Sequence, residues 1–224
     1  MSFDAVAPWY RTLETIAFGN ALQRARIACL DEIGSPRRAL VVGEGNGRFL
    51  AALLQRQPLI TVDCVDASER MLDLARRQVL GISPDEINRV AFFQHDFESW
   101  RPSDRYDLIV THFFLDCFGT TEVGSIVAKL AQAAGPNAVW LLADFTIPKT
   151  GLARVHARAW LSVMYAFFRG VAGIAARELV DPSPFLRVEG FILARQELFR
   201  LGMLKSELWR KMGNRLLAPT ALLI

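Results

Sequence analysis

Apolar positions along the chain alternate between stripes of helical period and short continuous runs. Leu13, Ile16, Ala17, Leu22, Ala25, Cys29 and Ile33 recur close to every 3.6 residues and predict a helical arm over 10–33, interrupted at Gly19-Asn20. Beyond the turn at Ser35-Pro36, Ala39–Val42 is a buried-strand run that stops at Gly43, and a helix is predicted over 47–56. A second strand runs from Ile60 to Val65 and ends on Asp66. Ser68 then stands where an N-cap is needed for a helix through Leu80, with Met71, Leu72, Leu74 and Ala75 on its apolar face. Val90–Phe93 and Asp107–Thr111 are the third and fourth strands, the latter introduced by polar Ser103-Asp104-Arg105; a helix over 121–134 and a strand over Val139–Asp144 follow.

Strands separated by helices over about a hundred residues imply parallel pairing through right-handed crossovers, hence an open α/β sheet whose ligands sit at the strands' C-terminal ends. The last third has another rhythm. It predicts a helix over 151–170, a turn at Asp181-Pro182-Ser183-Pro184, and an antiparallel hairpin of Phe191–Phe199 and Met203–Lys211 joined by Leu201-Gly202. The expected organisation is one domain: a helical arm over 1–34, a nucleotide-binding core over 35–145, a lid helix and terminal hairpin over 146–211, and a tail over 212–224.

Composition narrows the class. With 224 residues, 52% hydrophobic and 22% charged, the chain can bury a core and is not of the disordered type. No apolar run approaches the ~18–20 residues of a bilayer span. Asp4 and the lack of a basic segment before an apolar one make a secretory leader unexpected, so the expectation is a cytoplasmic protein. Cys29, Cys64 and Cys117 form no CxxC pair, and His95, His112 and His156 are scattered, so no metal site is expected. A net charge of +3 without a Lys/Arg-rich run gives no reason to expect nucleic acid.

The chemistry concentrates in Gly43-Glu44-Gly45-Asn46-Gly47-Arg48, a GxGxG loop between the first strand and the first helix of the core. Glycines let the backbone adopt positive φ close to a ligand, and the helix start offers unpaired amides. Asp66, about twenty residues on, is placed to accept both hydroxyls of a ribose. Loop and acid together suggest an adenosine-containing ligand. A dinucleotide site wants GxGxxG, and its last glycine is replaced here by Arg48, which disfavours a nicotinamide-dependent oxidoreductase.

GEGNG, VDASERML, QHDF and YDLIVTHFFLD, in this order and spacing, resemble four motifs of the class I S-adenosylmethionine (SAM)-dependent methyltransferases. The resemblance covers residues 38–145, and with the VAPWY segment it is nearest to small bacterial quinone- and phospholipid-methylating enzymes. It implies a Rossmann-like, doubly wound, mostly parallel sheet finished by an antiparallel hairpin. It also implies SAM as cofactor, with Gly43, Gly45 and Gly47 under its methionine and ribose portions and Asp66 on the ribose. Ala67 and Met71 would border the adenine, Asp96 and the Phe97 amide would read its edge, and Thr111 and His112 would line the methionine end. The family's acidic residue two positions before the first glycine is Val41 here, so Glu44 is expected to replace it near the methionine ammonium. Each also has a plainer reading: Asp66 as a helix cap, Asp96 as a turn residue, Met71 as core.

Methyl transfer from a sulfonium needs alignment and exclusion of water above all, with a base where the acceptor must lose a proton. His112 and Asp116 are the candidate catalytic residues; Cys117, Asp144 and, on the arm, Tyr10 could also face the pocket. The acceptor is expected to be a small molecule, with an apolar, lipid- or quinone-like one as one possibility. Segment 151–190 mixes Trp160, Met164, Tyr165, Phe167 and Phe168 with Arg154, Arg158, Arg169 and Arg177. It reads either as a lid that also touches an anionic membrane surface or as an amphipathic helix packed on the sheet. A non-catalytic SAM- or partner-binding protein on the same fold is the alternative. An aminopropyltransferase would want clustered acidic residues, of which Asp116 and Asp144 are the only candidates. The oligomeric state is not legible.

Overall fold

A computed structural model describes residues 18–213 apart from 98, 103, 149 and 173–178. Each apolar run of the core has become a strand: β1 Arg38–Val42, β2 Thr61–Asp66, β3 Val90–Gln94, β4 Tyr106–His112 and β5 Ala134–Phe145. The helices are α1 Ala21–Ile27, α2 Arg48–Arg56, α3 Glu69–Leu80, α4 Thr120–Ala133, α5 Gly151–Ala172 and α6 Ser183–Val188, and the hairpin is β6 Phe191–Phe199 with β7 Leu204–Lys211. Together the strands make one sheet in the order β3-β2-β1-β4-β5-β7-β6, with β7 antiparallel to both neighbours. The strand order turns back between β1 and β4, where the C-terminal ends of a doubly wound sheet leave a crevice for ligands.

Alternation along the strands distributes two cores. One face carries Leu40, Ile109, Trp140 and Leu142 against Val123, Ile126 and Leu130 of α4. The other carries Val41, Val110 and Leu141 against Phe49, Leu50 and Leu53 of α2 and Leu72 and Ala75 of α3. Complete burial of side chains such as Phe49 or Leu50 contributes ~1.5–3 kcal/mol each, enough to seat both helices on the sheet. A third, smaller cluster of Phe18, Leu22, Cys117, Phe145, Leu161 and Leu204 joins α1 and α5 to the C-terminal rim.

Three local differences from the sequence expectation have physical causes. Asp181–Pro184 is not a turn alone: the Asp181 carboxylate accepts from the Ser183 amide and hydroxyl at 3.1 and 2.7 Å, and helix α6 starts there with proline in its first turn, where no amide is needed. Residues 84–89 form a 3-10 turn after Ser83. Strand β5 begins at Ala134, directly after α4, because Ala134 pairs with Tyr106 while Pro136 and Asn137 stay exposed.

Candidate functional site

The glycine-rich loop leaves β1 at its C-terminal end, where the Gly43 amide donates to the Val65 carbonyl of β2 at 2.9 Å. Gly43, Gly45 and Gly47 all have positive φ, between 67° and 81°. Gly43 could not carry a side chain, since a Cβ there would stand 2.6 Å from the Phe114 ring; at Gly47 it would stand 2.5 Å from the Ala75 backbone of α3. The loop therefore folds tightly and brings the start of α2 against the crevice.

Gly47 caps α2 without a side chain, and Glu44 does the work instead: its Oε1 accepts from the Phe49 and Leu50 amides at 3.1 and 3.0 Å. Burial pushes its carboxyl up to about 7, opposed by those two hydrogen bonds and by the Arg26 guanidinium. Glu44, expected at a ligand ammonium, thus has one oxygen committed to helix amides.

Around the same helix turn lies a polar set in which His112 was expected from the sequence and Gln23, Arg26 and Asn46 were not. The Gln23 side-chain amide donates to the Arg48 backbone carbonyl at 3.3 Å, and the Asn46 side-chain Oδ1 accepts from the Arg48 backbone amide at 3.4 Å. His112 packs edge-on against Phe49 with ring centroids 4.4 Å apart. The Arg26 guanidinium, only 4% exposed, sits 5.1 Å over the Phe113 ring and acts electrostatically on both Glu44 and His112. Burial, reinforced by Arg26, holds the His112 imidazole well below its usual range, so it is neutral at ordinary pH. Among the described residues, Gln23 Oε1, Asn46 Nδ2 and His112 Nδ1 are buried without a hydrogen-bond partner. Buried polar atoms are nearly always paired, so orphans converging on one helix start are the mark of a polar ligand's end group. Arg26 had a signal: it lies four residues after Leu22 and three before Cys29, on the apolar stripe of its helix.

The nucleoside side is built from the ends of β2 and β3. Asp66 is half-buried, accepts from the Ser68 amide at 2.9 Å, and its carbonyl takes the His95 amide at 3.1 Å. Ser68 caps α3 by accepting from Met71. Met71 is 2% exposed yet belongs to none of the three apolar clusters, and Ala67 is half-buried beside it. Asp96 is exposed and Phe97 buried, the Phe97 ring lying 5.8 Å from that of Phe114 with the Lys129 ammonium 4.5 Å over it.

Thr111 goes elsewhere. It is 1% exposed, and its hydroxyl accepts from the Trp140 indole at 2.8 Å, on the core face opposite His112. Tyr10 lies outside the described residues.

On the far side of β4, the chain turns through Phe113, a non-glycine residue at φ 52° whose amide donates to the Ala143 carbonyl at 2.7 Å. Pairing of His112 with Ala143 then brings Asp116 and Asp144 together from 28 residues apart. Both are buried. Desolvation pushes Asp116 up to about 7 and, with the neighbouring Asp116 charge, raises Asp144 well above its usual range. Lys205, paired across the sheet with Asp144, is buried as well and lies 3.2 Å from both Asp181 and Glu207. Burial and these acids keep the Cys117 thiol protonated. Among the described residues no group of side chains could hold a metal ion.

Comparison with known proteins finds a family model described as a methyltransferase domain over residues 40–140. A polyamine aminopropyltransferase of Bacillus anthracis is 31% identical over 115 residues, covering 46% of this chain and 31% of that protein. A malonyl-[acyl-carrier protein] O-methyltransferase of Halalkalibacterium halodurans is 32% identical over 120 residues, covering 51% of this chain and 41% of its own. The chain thus spans less than half the length of these curated relatives. Among solved structures, a mitomycin 7-O-methyltransferase superposes with TM-score 0.68 at 21% identity, over 94% of this chain and 61% of its own. The SAM-bound magnesium protoporphyrin IX methyltransferase of Synechocystis PCC 6803 superposes with TM-score 0.61 at 16% identity, over 88% and 80%. These likenesses establish the fold.

Proposed function

We propose that this chain is a class I SAM-dependent methyltransferase that transfers a methyl group from SAM to a small molecule, a reading supported by the methyltransferase-domain match over residues 40–140 and by the strand order. The observation that carries the reading is the set of orphaned polar atoms around the start of α2, next to a glycine loop in which a Cβ at Gly43 or Gly47 would clash. They fit an amino-acid end: Arg26, the Asn46 amide and His112 suit a carboxylate, and Gln23 Oε1 with Glu44 suits an ammonium. Asp66 holds the ribose, Ala67 and Met71 border the base, and Asp96 with Phe97 reads its edge. When bound, SAM supplies a methyl group already activated on a sulfonium, leaving S-adenosylhomocysteine.

The chain's own work is placement and proton handling. Phe113, Phe118, Phe145 and Leu161 keep water from the acceptor side, favouring an acceptor with an apolar body, lipid- or quinone-like. Asp116, with Asp144 behind it, takes the proton of a hydroxyl or ammonium nucleophile; His112, neutral and against Arg26, orients the donor. The acid pair also suits an amine, as aminopropyl transfer requires. That transfer, however, needs a donor whose amino-acid end lacks a carboxylate, and a buried arginine beside a histidine is poorly matched to it.

Isothermal calorimetry tests the reading. Wild-type protein binds S-adenosylhomocysteine, and Arg26→Gln weakens it at least about tenfold, the loss of one charge-assisted hydrogen bond. The affinity for 5′-methylthioadenosine, which has no amino-acid end, is unchanged by the same substitution. No heat with S-adenosylhomocysteine overturns the proposal, and equal losses for both ligands overturn the role of Arg26.

A further inference from the structure

Helix α5 has two apolar stripes, and the core uses only one. At 100° per residue, Ala157, Leu161 and Met164 share the face that packs on the rim; Ala157 and Leu161 are buried and Met164 half-buried. Leu152, Val155, Ala159 and Val163 share the face about half a turn away. Leu152 is 89%, Val155 66% and Val163 67% exposed. Among the described residues, no apolar cluster of the fold takes in that second stripe. Trp160, on the flank, is partly exposed and stacks edge-on against Phe18 at 5.9 Å.

The charge on this helix has one sign. Residues 151–172 contain Arg154, Arg158 and Arg169 and no Asp or Glu, and Arg154 and Arg158 are exposed. The tip of the β6–β7 hairpin adds to it. A Cβ on Gly202 would stand 3.4 Å from Pro148, so the tip abuts the segment leading into α5. There Arg200 and Leu201 are held at φ 51° and 56°, and Leu201 is left 85% exposed. Leu204 pairs with Phe145, the last residue of β5, so tip and helix lie at the C-terminal edge of the sheet, beside Asp116 and Asp144.

We propose that α5 and the Arg200–Gly202 tip form a docking face for a bilayer surface carrying anionic lipid, set at the mouth of the acceptor side. The outer stripe and Leu201 enter the interface while the arginines meet the headgroups, the arrangement of a helix that lies in the interface plane. The contact proposed is peripheral; no described helix is long and apolar enough to cross a membrane. The inference goes beyond methyl transfer and does not depend on it, because binding is read without cofactor or acceptor.

The test is co-sedimentation with vesicles of phosphatidylcholine alone and with about a third phosphatidylglycerol. Wild-type protein partitions to the anionic vesicles at least about tenfold more strongly, and the excess disappears near ~0.5 M salt as screening shortens. Val155→Glu with Val163→Glu weakens binding about tenfold or more, and Arg158→Glu about fivefold on anionic vesicles only. Circular dichroism melts matching wild type establish that the variants fold. Failure to sediment with either vesicle at low salt, or variants that bind like wild type, overturns the proposal. A dimer in analytical ultracentrifugation that Val155→Glu dissociates also overturns it, assigning the face to a second copy. Loss of S-adenosylhomocysteine binding would instead strike only the proposed reaction.

Discussion

Glu44 caps α2 from outside the helix, and its buried carboxyl has a stability consequence with a definite sign. Its folded value of about 7 lies above the ordinary 4.5, so its neutral form favours the fold. That contribution is complete below about pH 4.5 and is lost as pH rises through about 7, amounting to ~3 kcal/mol by about pH 8. Glu44→Gln keeps an oxygen for the Phe49 and Leu50 amides and cannot ionise. In urea unfolding its stability relative to wild type is therefore expected to rise by ~3 kcal/mol between about pH 4.5 and pH 8. A relative stability that does not change with pH would refute the assignment. The sequence made Glu44 visible as a departure from the family's pattern, but not its partner, because a loop carboxylate that bends back to the next helix leaves no periodic trace. Thr111 was misplaced for a related reason: adjacent residues on a strand face opposite ways, so Thr111 and His112 cannot line the same pocket.

At the scale of elements, the glycine loop sets how closely α2 approaches α3. Gly47 and Gly34 both need positive φ, at 81° and 77°, but only Gly47 faces another backbone; around Gly34 nothing lies within 4 Å. Gly34→Ala is expected to cost ~1–2 kcal/mol, the conformational penalty alone. Gly47→Ala adds displacement of Ala75 and is expected to cost ~2–5 kcal/mol by urea unfolding, with a separated α2 start. Equal costs would show that helix α3 yields freely there. Strands β1, β4 and β5 were legible because each contains an apolar run buried on both faces, from Val41 and Val42 to Leu141 and Leu142, while edge strand β3 was legible from its short apolar run although it is only partly buried. Helix α6 was not, because Pro182 and Pro184 read as turn residues and the six-residue helix has no period to detect. The outer stripe of α5 was not separable from its inner one, since composition alone does not say which face of a helix a protein covers.

Across the whole molecule, the sheet assembles a charged cluster from β5, β7 and the segments after β4 and before α6: Asp116, Asp144, Lys205, Glu207 and Asp181. Its members are spread over 92 residues and their proximity follows from register, His112 beside Ala143 and Asp144 beside Lys205, which the sequence pattern does not specify. Lys205 is its buried cation; neighbouring acids raise its ammonium above the ordinary value, so it stays charged throughout the neutral range and its contribution is lost only as pH rises beyond that value. Lys205→Met leaves acids facing one another without it, a loss of ~3–5 kcal/mol near pH 8, where a carboxyl titrating at about 7 is ionised. Near pH 5, Asp116 and Asp144 hold protons in the fold, since both are raised, and the repulsion that lysine relieves is smaller. Glu207 has donors of its own besides Lys205, the Gln196 amide and the Trp209 indole at 2.7 and 3.0 Å. The cost of Lys205→Met in urea unfolding is thus expected to be greater near pH 8 than near pH 5. Equal costs would mean that Asp116 and Asp144 ionise independently of Lys205, and the pair could not then serve as a proton acceptor tuned by the sheet.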